Sequence, residues 1–200
     1  MEVFKYGDVE INYLKSRDPI LGAAMDRMGK VEREVNPDLF STLIYVIVGQ
    51  QISIKAVNTI WDRMLTLFVN ITPQTIAEAS VEKIQQCGLS TRKAKYIKNA
   101  GEQVVSGVLK LDELHQLSDV EVIKKLSTLH GVGPWTAEML LLNSMERPDI
   151  ISWGDIAIRR GMMKLYGLSE LSKEQFMEYS KVYSPYSSVA SIYLWKLSFE

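Results

Sequence analysis

An all-α fold is predicted by three features of this sequence. Apolar residues recur at three- and four-residue spacings, prolines 19, 37, 73, 134, 148 and 185 fall at intervals that suit eight to ten helices, and no alternating strand run of any length occurs. At 46% hydrophobic and 24% charged, the 200 residues have an ordinary globular composition, which excludes a disordered protein and a coiled-coil rod. A chain of this length buries about 70% of its unfolded surface, enough to fold without disulfides or a structural metal. It exceeds the ~150-residue prior for one domain. No repeat and no low-complexity linker marks a boundary, so two lobes would share a broad interface.

Each helix has a local cause. Asn36-Pro37 makes a turn before Asp38, and a strongly apolar segment runs from there to Gly49. Val57, Ile60, Trp61, Met64, Leu65 and Phe68 lie on one face of an amphipathic helix. Thr72 caps a helix with Pro73 at its first position, continuing through Gln74–Ala79. Ser80 starts a short helix that stops at Cys87-Gly88, and Ser90 or Thr91 caps the next, from Arg92 to about Val108. Ser118 and Glu121 form a capping box ahead of Val120, Ile123 and Leu126.

Composition also narrows the chemistry. The single cysteine, Cys87, rules out a disulfide framework, a cysteine-rich zinc site and a four-cysteine iron–sulfur cluster. With only His115 and His130 besides, a His/Cys metal centre is not expected. The N-terminal residues have neither a basic start nor an apolar core, and the longest nearly apolar stretch, Leu39–Val48, falls short of the ~20 residues of a membrane span. A cytoplasmic protein with no membrane partner is the expectation. Net charge is −1, but residues 41–110 carry eight basic and four acidic side chains, with Arg92, Lys93, Lys95 and Lys98 clustered. Such a local patch can hold an anion on a neutral molecule, although taken alone it reads as a solvated helix face.

Two stretches carry the functional argument. In Leu129-His130-Gly131-Val132-Gly133-Pro134-Trp135-Thr136-Ala137 a helix ends at Leu129, two glycines permit a tight turn, and Pro134 suits the first turn of another helix. The exposed N–H groups and positive end of that second helix suit a phosphate. A lone Gly-x-Gly would be an ordinary helix connection; the flanking Leu and Pro-Trp-Thr-Ala make it specific. Twenty residues past Trp135 lies Asp155, within Ser152-Trp153-Gly154-Asp155-Ile156-Ala157-Ile158-Arg159-Arg160-Gly161, and it has the look of a helix N-cap. Alone it reads as structural; facing a cleft, the same carboxylate would stabilise developing positive charge.

The hairpin, the helix after it and the following Gly-Asp together resemble the helix–hairpin–helix, Gly/Pro-rich, aspartate superfamily of base-excision DNA glycosylases. Val48-Gly49-Gln50-Gln51-Ile52-Ser53-Ile54-Lys55-Ala56, Gly88-Leu89-Ser90-Thr91-Arg92-Lys93-Ala94 and Ser184-Pro185-Tyr186-Ser187-Ser188-Val189-Ala190 through Tyr193-Leu194-Trp195 narrow it to the DNA-3-methyladenine glycosylase II family. The likeness runs from about residue 36 onward. It implies a two-lobed all-α fold: a six-helix barrel over residues 38–142, with the helix–hairpin–helix at about 118–142, and a terminal lobe from residues 1–37 and 143–200. Hairpin and aspartate would face the cleft between the lobes, and the N-terminal β-domain of some members would be missing. Where the family usually continues its serine-proline-aromatic segment with arginine, Ser187 stands.

The resemblance implies chemistry residue by residue. Relatives that also cut the strand carry a lysine nucleophile where Trp135 stands, so base release by water, leaving an abasic site, is expected. Glycoside hydrolysis ordinarily takes two carboxylates, but a purine alkylated at N3 or N7 already carries the positive charge its departure needs. Asp155 alone would then be catalytic. Trp135 and Trp195 match aromatic base-pocket positions, Met139 would line the same wall, and Tyr45, Trp153 and Tyr186 are further candidates. Trp61 and Trp153 read more readily as core. Gln51, with Ile52 beside it, would fill the gap left by the flipped nucleotide. Gly131 and Gly133 would grip phosphate through their N–H groups, with Lys55, Arg92 and Lys93 adding contacts, and Lys124 and Lys125 exposed or phosphate-facing. Carbonyls of Ser127, Leu129 and Val132 would hold a structural sodium or potassium ion, with no cofactor for catalysis. The partner implied is double-stranded DNA with alkylated bases, bound by a monomer. A glycosylase for neutral deaminated purines such as hypoxanthine, and a non-catalytic helix–hairpin–helix DNA-binding module, remain open; a protein-binding helical adaptor is disfavoured by the glycine hairpin.

Overall fold

Twelve α-helices form among the described residues, 2–200 of this computed structural model, with one 3-10 turn at Asp112–Gln116. The all-α expectation holds with one addition: two-residue strands β1 (Glu2–Val3) and β2 (Glu34–Val35) pair antiparallel. Two residues leave no room for an alternating pattern, so periodicity could not reveal them. The helix count exceeds eight to ten because serines as well as prolines open helices. Ser53, Ser80, Ser90, Ser118 and Ser172 each accept a hydrogen bond from the backbone N–H three residues on.

The chain divides into two compact units. One comprises the described residues up to Val35 together with Leu141–Glu200; the other is Asn36–Leu140.

In the first unit, α1 (Asp8–Arg17) and α2 (Pro19–Met28) share Asp18, which ends one and caps the other. Its Oδ1 accepts from Ile20 and Leu21 N–H, and its Oδ2 accepts from the hydroxyls of Tyr166 (2.5 Å) and Tyr183 (3.3 Å). Burial, then Asp18 beside Tyr166 and Tyr166 with Asp18 beside Tyr183, push both tyrosines well above the ordinary phenol range, so both stay protonated donors. The core element is α12 (Ser187–Ser198), buried on nearly every side and packed along α10 (Ile156–Tyr166); α11 (Lys173–Lys181) lies between them in sequence. Gly161 of α10 makes this approach possible, because a Cβ there would stand 1.9 Å from the carbonyl oxygen of Leu194.

Serines on α12 fasten the segment that leads to Asp155. Ser188 Oγ donates to Arg147 O (2.5 Å) and accepts from Ile150 N–H (2.9 Å), while Ser191 Oγ donates to Ile150 O (2.9 Å). Ser187, standing where the resemblance expects arginine, donates its hydroxyl to Asp149. Both Ser188 and Ser191 are fully buried, so Ser188→Ala orphans the buried Ile150 N–H, takes the hydroxyl from the half-buried Arg147 carbonyl, and should cost about 2 kcal/mol. Chemical denaturation monitored by circular dichroism measures it; a loss below about 0.5 kcal/mol would mean that water takes over both groups.

In the second unit, α7 (Thr91–Val105) packs on α3 (Leu39–Gly49), α5 (Pro73–Glu78) and α6 (Val81–Gln85), and α4 (Ile54–Phe68) lies against α3. Helix α7 ends at Val105, short of the expected Val108, because the chain turns at Gly107 with φ +74°. Helix α8 (Asp119–Leu126) carries the expected Ser118–Glu121 capping box but stops before Leu129, and α9 (Pro134–Asn143) opens on Pro134 as expected. No helix among the described residues is long and apolar enough to cross a membrane.

Candidate functional site

The hairpin joining α8 to α9 is a tight turn with one conformationally demanding residue. Val132 N–H donates to Leu129 O (3.2 Å), and Gly131, third in this four-residue turn, has φ +80°, the pattern of a type II turn. A Cβ on Gly131 would also stand 2.1 Å from the Tyr96 ring of α7, which lies against the turn. Gly133 differs. Its φ lies outside the left-handed region and an added Cβ would meet nothing within 4 Å. The turn therefore needs only one of its two glycines, and the open space at Gly133 leaves room for a ligand backbone.

That contrast is testable. Gly131→Ala should cost at least 2 kcal/mol of stability, from backbone strain and the Tyr96 clash together. Gly133→Ala should stay within about 0.5 kcal/mol of wild type yet weaken duplex DNA binding. Thermal melts beside fluorescence-anisotropy titrations separate the two, and equal behaviour of the variants would refute the division of roles.

The hairpin is tied to the turn that follows α3. Gln50 Nε2 donates to Gly131 O (2.8 Å) and to Thr136 Oγ1 (3.0 Å). Gln51 next to it has φ +58° and is exposed, as is Ile52. Lys93, expected on phosphate, turns inward: its ammonium donates to Val48 O (2.8 Å) and Gln50 O (2.5 Å). Burial, and then the adjacent Arg92 charge, lower its pKa. Arg92 and Lys55 are exposed, and Lys55 lines an open groove of about 390 Å³ with Arg63 and Gly88. Lys124 is exposed, whereas Lys125 pairs with Glu113 at 3.2 Å. Trp135 is half-buried at the start of α9 and Met139 is buried one turn on. Tyr45 is exposed on α3, with its ring edge-on to Trp61 and its hydroxyl donating to Asn58. Of the proposed ion ligands, Leu129 O accepts the turn hydrogen bond; a carbonyl has two lone pairs, so this bond is compatible with a monovalent cation.

In the other unit, Asp155 is the expected N-cap. Its Oδ1 accepts from Ala157 N–H (2.9 Å) and Ile158 N–H (3.0 Å), and the residue is only 8% exposed. Ser152 to Asp155 forms the turn that delivers it, closed by Asp155 N–H to Ser152 O (3.2 Å). Two expected pocket tryptophans already have partners. The Arg159 guanidinium lies 4.6 Å from the Trp153 ring centroid, with Phe176 edge-on to the same ring. Arg33 stands 4.2 Å over Trp195 and donates Nε and Nη2 to Asn143 Oδ1. Trp153 thus has a structural environment, and one face of Trp195 carries a fixed cation in place of an open platform.

The model of the HhH-GPD superfamily base excision DNA repair protein matches residues 44–185. The chain belongs to this superfamily. Among HhH-GPD relatives, the DNA-3-methyladenine glycosylase 1 of Schizosaccharomyces pombe is 33% identical over 164 residues, covering 80% of this chain and 72% of its own. A crystal structure of a DNA-3-methyladenine glycosidase from Bacillus halodurans aligns at 35% identity with TM-score 0.84, over 99% of this chain and 93% of that one. The 3-methyladenine DNA glycosylase of Schizosaccharomyces pombe in complex with abasic DNA aligns at 29% identity with TM-score 0.86, over 94% and 96%. The HhH-GPD likeness in the sequence and the all-α fold are both borne out.

Sequence reasoning missed Gln50, Tyr96 and Arg33. Tyr96 lies three residues past Lys93 on one face of α7, and that spacing was available; what the face packs against was not. Nothing in the linear sequence distinguishes Gln50, which turns to the hairpin, from Gln51, which stays exposed.

Proposed function

We propose that the chain is a monofunctional DNA glycosylase hydrolysing the N-glycosidic bond of alkylated purines, of the 3-methyladenine and 7-methylguanine type, in base excision repair. It acts as a monomer on double-stranded DNA and leaves an abasic site. The observation that carries this reading is Asp155, a carboxylate fixed by two backbone N–H groups at the start of α10. Relatives named for 3-methyladenine release support it.

The chemistry follows from charge. As the glycosidic bond lengthens, positive charge grows on the sugar, and a preorganised carboxylate lowers that barrier by several kcal/mol, each ~1.4 kcal/mol being tenfold in rate. Water completes the substitution. A cationic purine leaves as a neutral base, so no second carboxyl group has to protonate it. Trp135 offers a ring to the flipped base, Gln51 and Ile52 the plug, and Gly131 with Gly133 the phosphate grip. Trp135 has no amine to form a Schiff base, hence no strand cleavage. Carbonyls of Ser127, Leu129 and Val132 would hold a sodium or potassium ion, which would supply positive charge beside a phosphate.

One observation favours the second reading, a neutral deaminated purine: Arg33 on Trp195 opposes a second cation against that ring. A single assay decides. Methylated and hypoxanthine-containing duplexes are incubated with the protein, released bases identified chromatographically, and strand breaks scored before and after alkali. Release of 3-methyladenine and 7-methylguanine, with breaks only after alkali, is expected. Release of hypoxanthine alone would replace the substrate, and alkali-independent breaks would overturn the monofunctional assignment.

A further inference from the structure

Gln51 holds a left-handed backbone, φ +58°, with its side chain exposed. A residue other than glycine keeps such a conformation only where its surroundings over-determine it. Two side chains do so here, those of Lys93 and Gln50. The Lys93 ammonium clamps the main chain, donating to Val48 O and to the carbonyl of Gln50, which belongs to the peptide bond entering Gln51. The Gln50 amide clamps the side chain, donating to Gly131 O and Thr136 Oγ1. The residue before Gln51 is thus held by α7 on its backbone and by the hairpin on its side chain.

We propose that Lys93 and Gln50 are positioning residues that lock the Gln51 turn to the Gly131–Gly133 hairpin, so that DNA meets the plug and the phosphate grip at one fixed spacing. This rests on the glycosylase reading above. An ammonium committed to two carbonyls does not act as a phosphate contact, and the two roles predict different binding behaviour. A phosphate contact contributes to every duplex alike and adds about one to the slope of log K against log salt. A positioning residue contributes only where a nucleotide is displaced, and it leaves that slope unchanged.

The test titrates Lys93→Met, Lys93→Arg, Gln50→Leu and Gln51→Ala against abasic-site and undamaged duplexes at several salt concentrations. Lys93→Met and Gln50→Leu should each weaken abasic-site binding about tenfold to a hundredfold, the scale of a small misplacement of binding groups. Undamaged-duplex affinity and the salt slope should not change, and Lys93→Arg, which keeps a donor, should recover part of the loss. Adding Lys93→Met to Gln51→Ala should cost no further affinity, because the lysine acts through the residue already removed. Equal losses on both duplexes with a slope reduced by about one would overturn the proposal in favour of a phosphate contact, and wild-type abasic-site binding by Lys93→Met would overturn it outright. If Lys93→Met fails to fold, Gln50→Leu and Lys93→Arg carry the same comparison. A wild-type protein that neither prefers the abasic duplex nor releases a base would instead refute the glycosylase reading.

Discussion

Asp155→Asn is expected to lower base release by about a thousandfold or more, while affinity for abasic-site DNA stays level or rises. The substitution isolates charge from architecture. Asparagine caps helices as well as aspartate does, and its carbonyl oxygen can accept the two bonds that Oδ1 takes from Ala157 and Ile158. The fold and the start of α10 should therefore survive. What disappears is a negative charge that, in the proposed mechanism, faces the developing sugar cation, worth about 4 kcal/mol at the scale found for preorganised electrostatic groups. Affinity is spared because removing an anion beside a polyanion cannot add repulsion. Single-turnover release of 7-methylguanine from methylated duplex, paired with anisotropy on an abasic-site duplex, gives both numbers. Unaltered turnover would refute the role of Asp155.

Gly161→Ala should produce the largest loss of stability, about 3 kcal/mol or more, seen as a fall in Tm of about 6–12 °C. The added Cβ would meet Leu194 at 1.9 Å from O, 2.6 Å from C and 3.0 Å from Cα. All three are main-chain atoms, so no rotamer change relieves the overlap, and α10 and α12 must separate. The sign is diagnostic. In an open helix, alanine for glycine stabilises by up to ~1 kcal/mol, so a melting curve shifted upward would disprove the close approach. Separation would also disturb the start of α10, and activity should fall with stability.

What the sequence made legible follows what is local. Caps at Thr72, Ser80, Ser90, Ser118 and Asp155 each depend on one side chain and the next three residues, and all appear in the structure. The turn at Gly131 and the helix opening at Pro134 were readable for the same reason. Long-range pairing was not. Lys93 looked like one of several surface cations, yet carbonyls about 45 residues away in sequence draw it inward. Arg33 lies over Trp195 across more than 160 residues, which no spacing rule anticipates. Cation count was visible in composition; cation destination depends on which helices meet.

The serine fastenings on α12 bear on when the protein becomes competent. Ribosomes deliver chains N-terminus first, so Asp155 emerges well before Ser188 and Ser191, whose hydroxyls hold Arg147 and Ile150 ahead of it. Until those serines arrive, the backbone groups they serve must look to water. A chain truncated after residue 186 would carry the aspartate without the fastening of the segment that leads to it, so the setting of the carboxylate depends on residues thirty and more positions downstream.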